Sequence, residues 1–198
     1  NIPLLSSERD LEDPFVIGGG PCAFNPEPVA DFFDFFIIGE GEEIILEVMD
    51  VIISWKQSNK IDGRKGLLRR VAQIQGIYVP SFYAVNYNSD NTIKEIIAIE
   101  QTAPSSINKR IVADLDNAKF PTKPVVPFID IVHDRIMLEL FRGCTRGCRF
   151  CQAGVIYRPV RERKMETLIK LAEDLIKNTG YDEISLTSLS SADYSKLS

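Results

Sequence analysis

The apolar positions in the first part of the chain fall into two short runs, residues 14–17 and 35–38. Each is broken off by turn residues: Gly18, Gly19, Gly20 and Pro21 after the first, Gly39, Glu40 and Gly41 after the second. Unbroken apolar runs of this length that end in glycine predict buried strands. Between them, Asn25 followed by Pro26 and Glu27 predicts an N-cap with proline at the first helical position, opening a short helix toward Phe33. Beyond Glu42, Ile45, Val48, Met49, Ile52 and Ile53 recur at helical spacing and predict a helix to about Ser58. Strand, helix, strand, helix with short connections predicts an α/β fold built on a parallel, doubly wound sheet, two strands of which lie in this chain.

The pattern then changes twice. Residues 62–75 are apolar at Leu67, Leu68, Val71 and Ile74 and basic at Arg64, Lys65, Arg69 and Arg70, which predicts a second helix packed beside the first region. Residues 78–87 and 92–99 are rich in β-branched and aromatic side chains and are separated by Asn88, Ser89, Asp90 and Asn91, a hairpin signal. Residues 101–134 hold Pro104, Pro121, Pro124 and Pro127 with little periodicity, as expected of an extended linker. From residue 135, Ile136, Leu138 and Leu140 alternate with their neighbours and predict a strand. Leu168, Leu171, Ala172, Leu175 and Ile176 predict a helix closed by Gly180, and residues 183–189 a further strand, completing a βαβ unit. The organisation expected is therefore an α/β region over 1–75, a hairpin and linker over 76–134, and a βαβ region over 135–198.

Composition narrows the function. With 44% hydrophobic and 26% charged residues the 198-residue chain reads as globular, and no apolar run approaches the roughly 18 residues of a membrane span. The start carries neither initiator methionine nor the basic and apolar segments of a signal peptide, so a cytoplasmic piece of a longer chain is expected. Net charge is −5, yet residues 141–164 carry seven basic side chains against Glu162 alone. A basic island on an acidic chain suits an anionic cofactor or substrate.

That island surrounds three of the four cysteines, Cys144, Cys148 and Cys151, spaced C-x3-C-x2-C directly after the strand at 135–141. Loops at the C-terminal ends of parallel strands are where α/β folds place their sites. Three thiolates on one loop hold three irons of a cubane cluster and leave the fourth iron open to a ligand. Gly143 and Gly147 let the backbone curl, and Arg146 and Arg149 bring positive charge. Zinc is the alternative: structural zinc takes four ligands, and the fourth would have to be His133, the one histidine, across the strand. Cys22, in the glycine-rich turn, is expected to be a small buried residue.

The run Arg142-Gly143-Cys144-Thr145-Arg146-Gly147-Cys148-Arg149-Phe150-Cys151 resembles the radical S-adenosylmethionine superfamily. The resemblance implies that the three cysteines hold a 4Fe-4S cluster whose open iron chelates the amino and carboxylate groups of S-adenosylmethionine. It implies reductive cleavage to a 5'-deoxyadenosyl radical, the first βαβ unit of a partial (β/α) barrel, and a reducing electron donor of flavodoxin or ferredoxin type. Phe150 matches the aromatic that lies against the cofactor; the alternative is a core aromatic. Where the superfamily often has Gly-Gly-Glu contacting the cofactor's amino group, this chain has Ser190, Ser191, Ala192 and Asp193. Those hydroxyls and that carboxylate are the candidates for the same contact.

Upstream, the 18–21, 25–28 and 39–42 segments resemble the second half of the Rossmann-like cobalamin-binding domain found in one branch of the superfamily. That implies cofactor contacts at Gly19, Gly20, Pro21, Gly39 and Gly41. The branch's cobalt-ligating Asp-x-His-x-x-Gly element does not occur here, so cobalamin rests on the resemblance alone. The reaction class implied is radical chemistry on an unactivated carbon, including methyl or sulfur transfer. Two other classes stand beside it: an iron–sulfur electron-transfer or redox-sensing module, and an RNA-binding or RNA-modifying protein using Arg158, Arg161, Arg163 and Lys164 on phosphates. An electron carrier would ordinarily close its cluster with a fourth cysteine, and aromatics are not interleaved through the basic run apart from Tyr157. The open edge of the strand at 184–189 is expected to favour self-association.

Overall fold

The computed structural model describes residues 1–129 and 131–197. By contacts the chain divides into two units, Asn1–Val112 and Ala113–Ser198, each with its own core.

The first unit is built on a three-stranded sheet in the order β1 (Ile17–Gly18), β2 (Phe35–Ile37), β3 (Ile77–Tyr78). β1 and β2 are parallel, but β3 is antiparallel to β2. The doubly wound parallel sheet expected from the sequence is thereby corrected to a small mixed sheet. The reason lies in the connection. Two helices, α1 (Gly41–Gln57) and α2 (Gly63–Val71), follow β2 in succession. Two passes return the chain to the end where β2 finished, so β3 must run the other way. The helix expected from Asn25 is also corrected, to a 3-10 segment Glu27–Phe32 preceded by Pro26, with i−3 bonds at Val29 and Phe33. Prolines at 26 and 28 remove two backbone donors, and a six-residue segment gains little from the α ladder.

β2 is buried on both faces. Phe35 and Ile37 face α1 and α2 through Ile44, Val48, Trp55, Leu67 and Val71; Phe36 joins Ala23, Ile38 and Tyr78 on the other side. This period-two division is why an apolar run without alternation reads correctly as a central strand. The hairpin pairs β4 (Tyr83–Tyr87) with β5 (Ile93–Ala98).

Gly39 closes this unit. At φ +117 it pairs with Arg110, through Arg110 N–H to the Ile38 carbonyl at 2.8 Å and Glu40 N–H to the Arg110 carbonyl at 3.0 Å. A methyl there would meet the Arg110 carbonyl oxygen and lie 2.7 Å from its nitrogen. Gly39→Ala should therefore cost about 3 kcal/mol, combining backbone strain with the loss of the bridge. Urea denaturation checks this, and a loss below about 1 kcal/mol would show that the 110 segment yields freely.

The second unit carries the βαβ unit expected from the sequence. β6 (Ile136–Glu139) pairs in parallel with β9 (Ile184–Thr187) through α4 (Met165–Thr179), which ends on Gly180 at φ +76 with its N–H bonded to the Ile176 carbonyl. Leu168 and Leu175 of α4 pack on Ile136, Leu138 and Leu140, and Tyr194 completes the cluster. Between β6 and α4 lie β7 (Phe141–Arg142), antiparallel to β8 (Arg161–Glu162), and the short helix α3 (Ala153–Ile156). This small ribbon, absent from the sequence reading, closes the base of the cysteine loop.

Candidate functional site

Two backbone features hang the cysteine loop. Gly143 has φ +100, and a methyl on it would come within 2.5 Å of the Pro159 carbonyl oxygen and 2.6 Å of that of Tyr157, so only glycine lets the chain pass the 157–160 segment that leads into β8. Gly147 has φ +66, and the loop closes with the Cys151 N–H on the Cys148 carbonyl at 3.0 Å. Cys144, Cys148 and Cys151 are all free thiols, Cys148 exposed and the other two half-buried.

The loop stands on a charged base. Glu139, at the end of β6, accepts from Arg142 at 2.8 and 3.2 Å and from Arg163 at 3.0 Å. Burial pushes the Glu139 carboxyl up, but the two guanidiniums outweigh it and hold it below the ordinary carboxylate range. Arg163 is buried, donates to the Leu115 carbonyl, and lies over Phe120; Tyr194 Oη donates to its carbonyl at 2.8 Å. Arg163, a phosphate-contacting candidate by sequence, lies inside. The sequence pattern does not single out Glu139, although an acid within an alternating strand that leads into a basic loop is a usable signal.

On the far side of the loop, Arg146 donates to Asp193 through Nε at 2.7 Å and through Nη2 to the other carboxylate oxygen. This guanidinium, helped by a hydrogen bond from Ser190, pulls the Asp193 carboxyl down to about 2. A folded value below the ordinary 3.8 means the pair's contribution is complete above that pH and is lost as pH falls through about 2. A cavity of about 550 Å³ opens here, lined by Cys144, Thr145, Arg146, Ser190 and Asp193 with Phe141, Gly143 and Val160.

The structure thus brings Cys144, Ser190 and Asp193 to one cavity. Ser191 turns inward on the same strand-end turn, its hydroxyl 2.9 Å from that of Ser188. Phe150 is 94% exposed. Cys22 is exposed on a 3-10 turn, correcting the expectation that it is buried; the turn points its neighbour Ala23 into the core instead. Gly19, Gly20, Pro21 and Gly41 lie in the first unit: Gly20 at φ +88 and Gly41 have open space where a Cβ would stand, while Gly39 is filled by the Arg110 backbone.

Among the described residues, no three histidine, cysteine, aspartate or glutamate side chains converge as a metal-holding group. The donor set still fits an iron–sulfur cluster: three free thiols on one glycine-hung loop, past the C-terminal end of a parallel strand and beside a cavity. The cobalamin case is different. Residues 1–112 hold no histidine, and their sheet is small and mixed, so these residues do not fit a corrin site by themselves. No helix among the described residues is long and apolar enough to cross a membrane.

Comparison with known proteins gives the class of this α/β chain with its thiol triplet at the end of a parallel strand. Residues 1–80 match the family described as radical SAM proteins, N-terminal, and residues 138–197 match the radical SAM superfamily. The chain belongs to the radical SAM superfamily, an enzyme superfamily, with N-terminal and core parts both represented. It is 29% identical over 181 residues to an uncharacterized protein of Methanocaldococcus jannaschii, covering 90% of this chain and 32% of that protein. The chain spans about a third of the length of the curated relative it matches.

Proposed function

We propose that this chain carries the cluster-binding part of a radical enzyme that cleaves S-adenosylmethionine reductively and starts radical chemistry, such as methyl or sulfur transfer, on a substrate yet to be identified. The observation that carries the reading is the placement of Cys144 on a glycine-hung loop facing Ser190 and Asp193 across one cavity. When bound, a 4Fe-4S cluster supplies one electron to the sulfonium and a chelating iron to its amino and carboxylate groups. The chain's own contribution is positional. Cys144, Cys148 and Cys151 would hold the cluster as thiolates; Gly143 brings Cys144 past the 157–160 segment, and Glu139 with Arg142 braces the strand end just before it. Ser190 offers a hydroxyl in the cavity, and the exposed ring of Phe150 offers a flat apolar surface for an adenine. A reducing electron donor of flavodoxin or ferredoxin type belongs to this reading. Cobalamin enters no step of it.

The test is anaerobic reconstitution with iron and sulfide, followed by reduction with S-adenosylmethionine. About four irons per chain and release of 5'-deoxyadenosine are expected. Cys144→Ala, Cys148→Ala and Cys151→Ala should each abolish the intact cluster, whereas Cys22→Ala keeps it. Full iron content in all three loop variants would end this reading.

A further inference from the structure

Asp193 stands where the resemblance places a carboxylate that touches the cofactor's amino group. The structure gives that carboxylate to another residue. Both of its oxygens accept from Arg146, a bidentate pair spanning 47 positions of sequence. The two partners come from different elements. Asp193 closes the 3-10 turn Ser191–Asp193 after β9; its N–H is bonded to the Ser190 carbonyl at 2.8 Å, and Ser190 N–H reaches the Ser188 hydroxyl at 3.3 Å. That turn presents the carboxylate at a set place. Arg146 lies midway between Cys144 and Cys148, on a stretch with no regular secondary structure and with a left-handed glycine at 147. A two-pronged tie from this turn to the irregular loop restrains the loop.

We propose that Asp193 is a positioning residue that acts through Arg146, holding the cysteine loop against the end of β9, and is not a direct partner of the cofactor's ammonium group. The pair is partly exposed, 63% at Arg146 and 30% at Asp193, so its strength comes from two-pronged geometry rather than burial. With the carboxylate engaged by Arg146 and Ser190, the Thr145 hydroxyl and the Ser190 oxygen as an acceptor are left to hydrogen-bond a ligand in the cavity. The inference rests on the radical SAM reading for what the loop holds, but the tie itself does not.

A double-mutant cycle tests it, with Arg146→Ala, Asp193→Ala, the double variant, and the exchange Arg146→Asp with Asp193→Arg. The first readout is tryptic cleavage after Arg149 in cluster-free protein. Each single variant should raise the rate by about fivefold, the scale of one well-formed surface pair; the double variant should be no faster than either, and the exchange should restore the slow rate. Additive acceleration without rescue would overturn the tie. The second readout is S-adenosylmethionine affinity of the reconstituted protein by equilibrium dialysis. Asp193→Ala should have no further effect once Arg146 is alanine. A further tenfold weakening in that background would make Asp193 a direct ligand and overturn the proposal. Should the parent protein take up no iron and bind no S-adenosylmethionine, the function proposed above fails, while the tryptic cycle still decides the tie.

Discussion

Asp34→Ala is expected to destabilise the first unit by about 3–5 kcal/mol, the range for stranding a buried charge. Asp34 and Arg9 are each 2% exposed in their side chains and meet at 2.7 Å. The same carboxylate takes Arg64 at 2.8 and 3.2 Å and the Val16 N–H at 2.8 Å. Four donors from three stretches of chain converge on two oxygens. Arg9 also donates to the carbonyls of Pro3, Leu4 and Phe32, and Arg64 to those of Asp10, Asp13 and Pro14 while lying 3.8 Å over the Phe15 ring. Without Asp34 the two guanidiniums keep their neutral acceptors but lose their anion, and like charges are left close together in a poorly solvated place. Asp34→Asn should lose nearly as much, because its amide nitrogen would turn a donor toward donors. Native-state hydrogen exchange at the amides of Phe35 to Ile37 reads the loss directly. If both variants cost under about 1 kcal/mol, the carboxylate is not the anchor of the N-terminal segment.

This anchor shows what the sequence can and cannot display. Its own signal was present: an aspartate inside the apolar run Phe32-Phe33-Asp34-Phe35-Phe36 is out of place unless paired. Its partners were not legible, because Arg9 and Arg64 are 25 and 30 positions away and look like ordinary surface arginines. The same distinction runs through the molecule. The period of α1 and the βαβ pattern of β6, α4 and β9 are local, and both elements stand where the spacing put them, but α1 buries Ile44, Val48 and Trp55 and leaves Ile45, Met49 and Ile53 of the expected stripe exposed. β3 is two residues long, too short for any period, and its direction depends on how many helices precede it. In the loop, three cysteines within eight positions are readable at once. The tie from Arg146 to Asp193 and the brace from Arg163 to Glu139 join residues 47 and 24 positions apart and are visible only when folded. Net charge misled in one respect: it grouped Arg163 with Arg158 and Arg161 as one basic surface, although a strand-to-helix junction buries one of the three.

That buried arginine sets the other large expectation. Arg163→Met keeps much of the side chain's volume but removes the donors to the Leu115 carbonyl and to Glu139. Glu139 would then rest on Arg142 alone in a half-buried place, and the Leu115 carbonyl would be left without that donor. A loss of about 3–5 kcal/mol in the second unit follows, read by hydrogen exchange at Ile136 to Glu139. The pH dependence separates this brace from mere packing. In the parent protein the folded Glu139 carboxyl lies below its ordinary 4.5, so its contribution is complete above that value and declines as pH falls through the folded one. With Arg163 gone, burial pushes the carboxyl up with less to oppose it, and the folded and unfolded values draw together. The acid limb of stability should therefore flatten in Arg163→Met, and Glu139→Gln should flatten it as well. Arg163→Met would then add little further flattening in the Glu139→Gln background. Acid limbs that stay parallel to that of the parent in all three variants would show that the end of β6, and with it the approach to Cys144, is held by apolar contact and not by this charge.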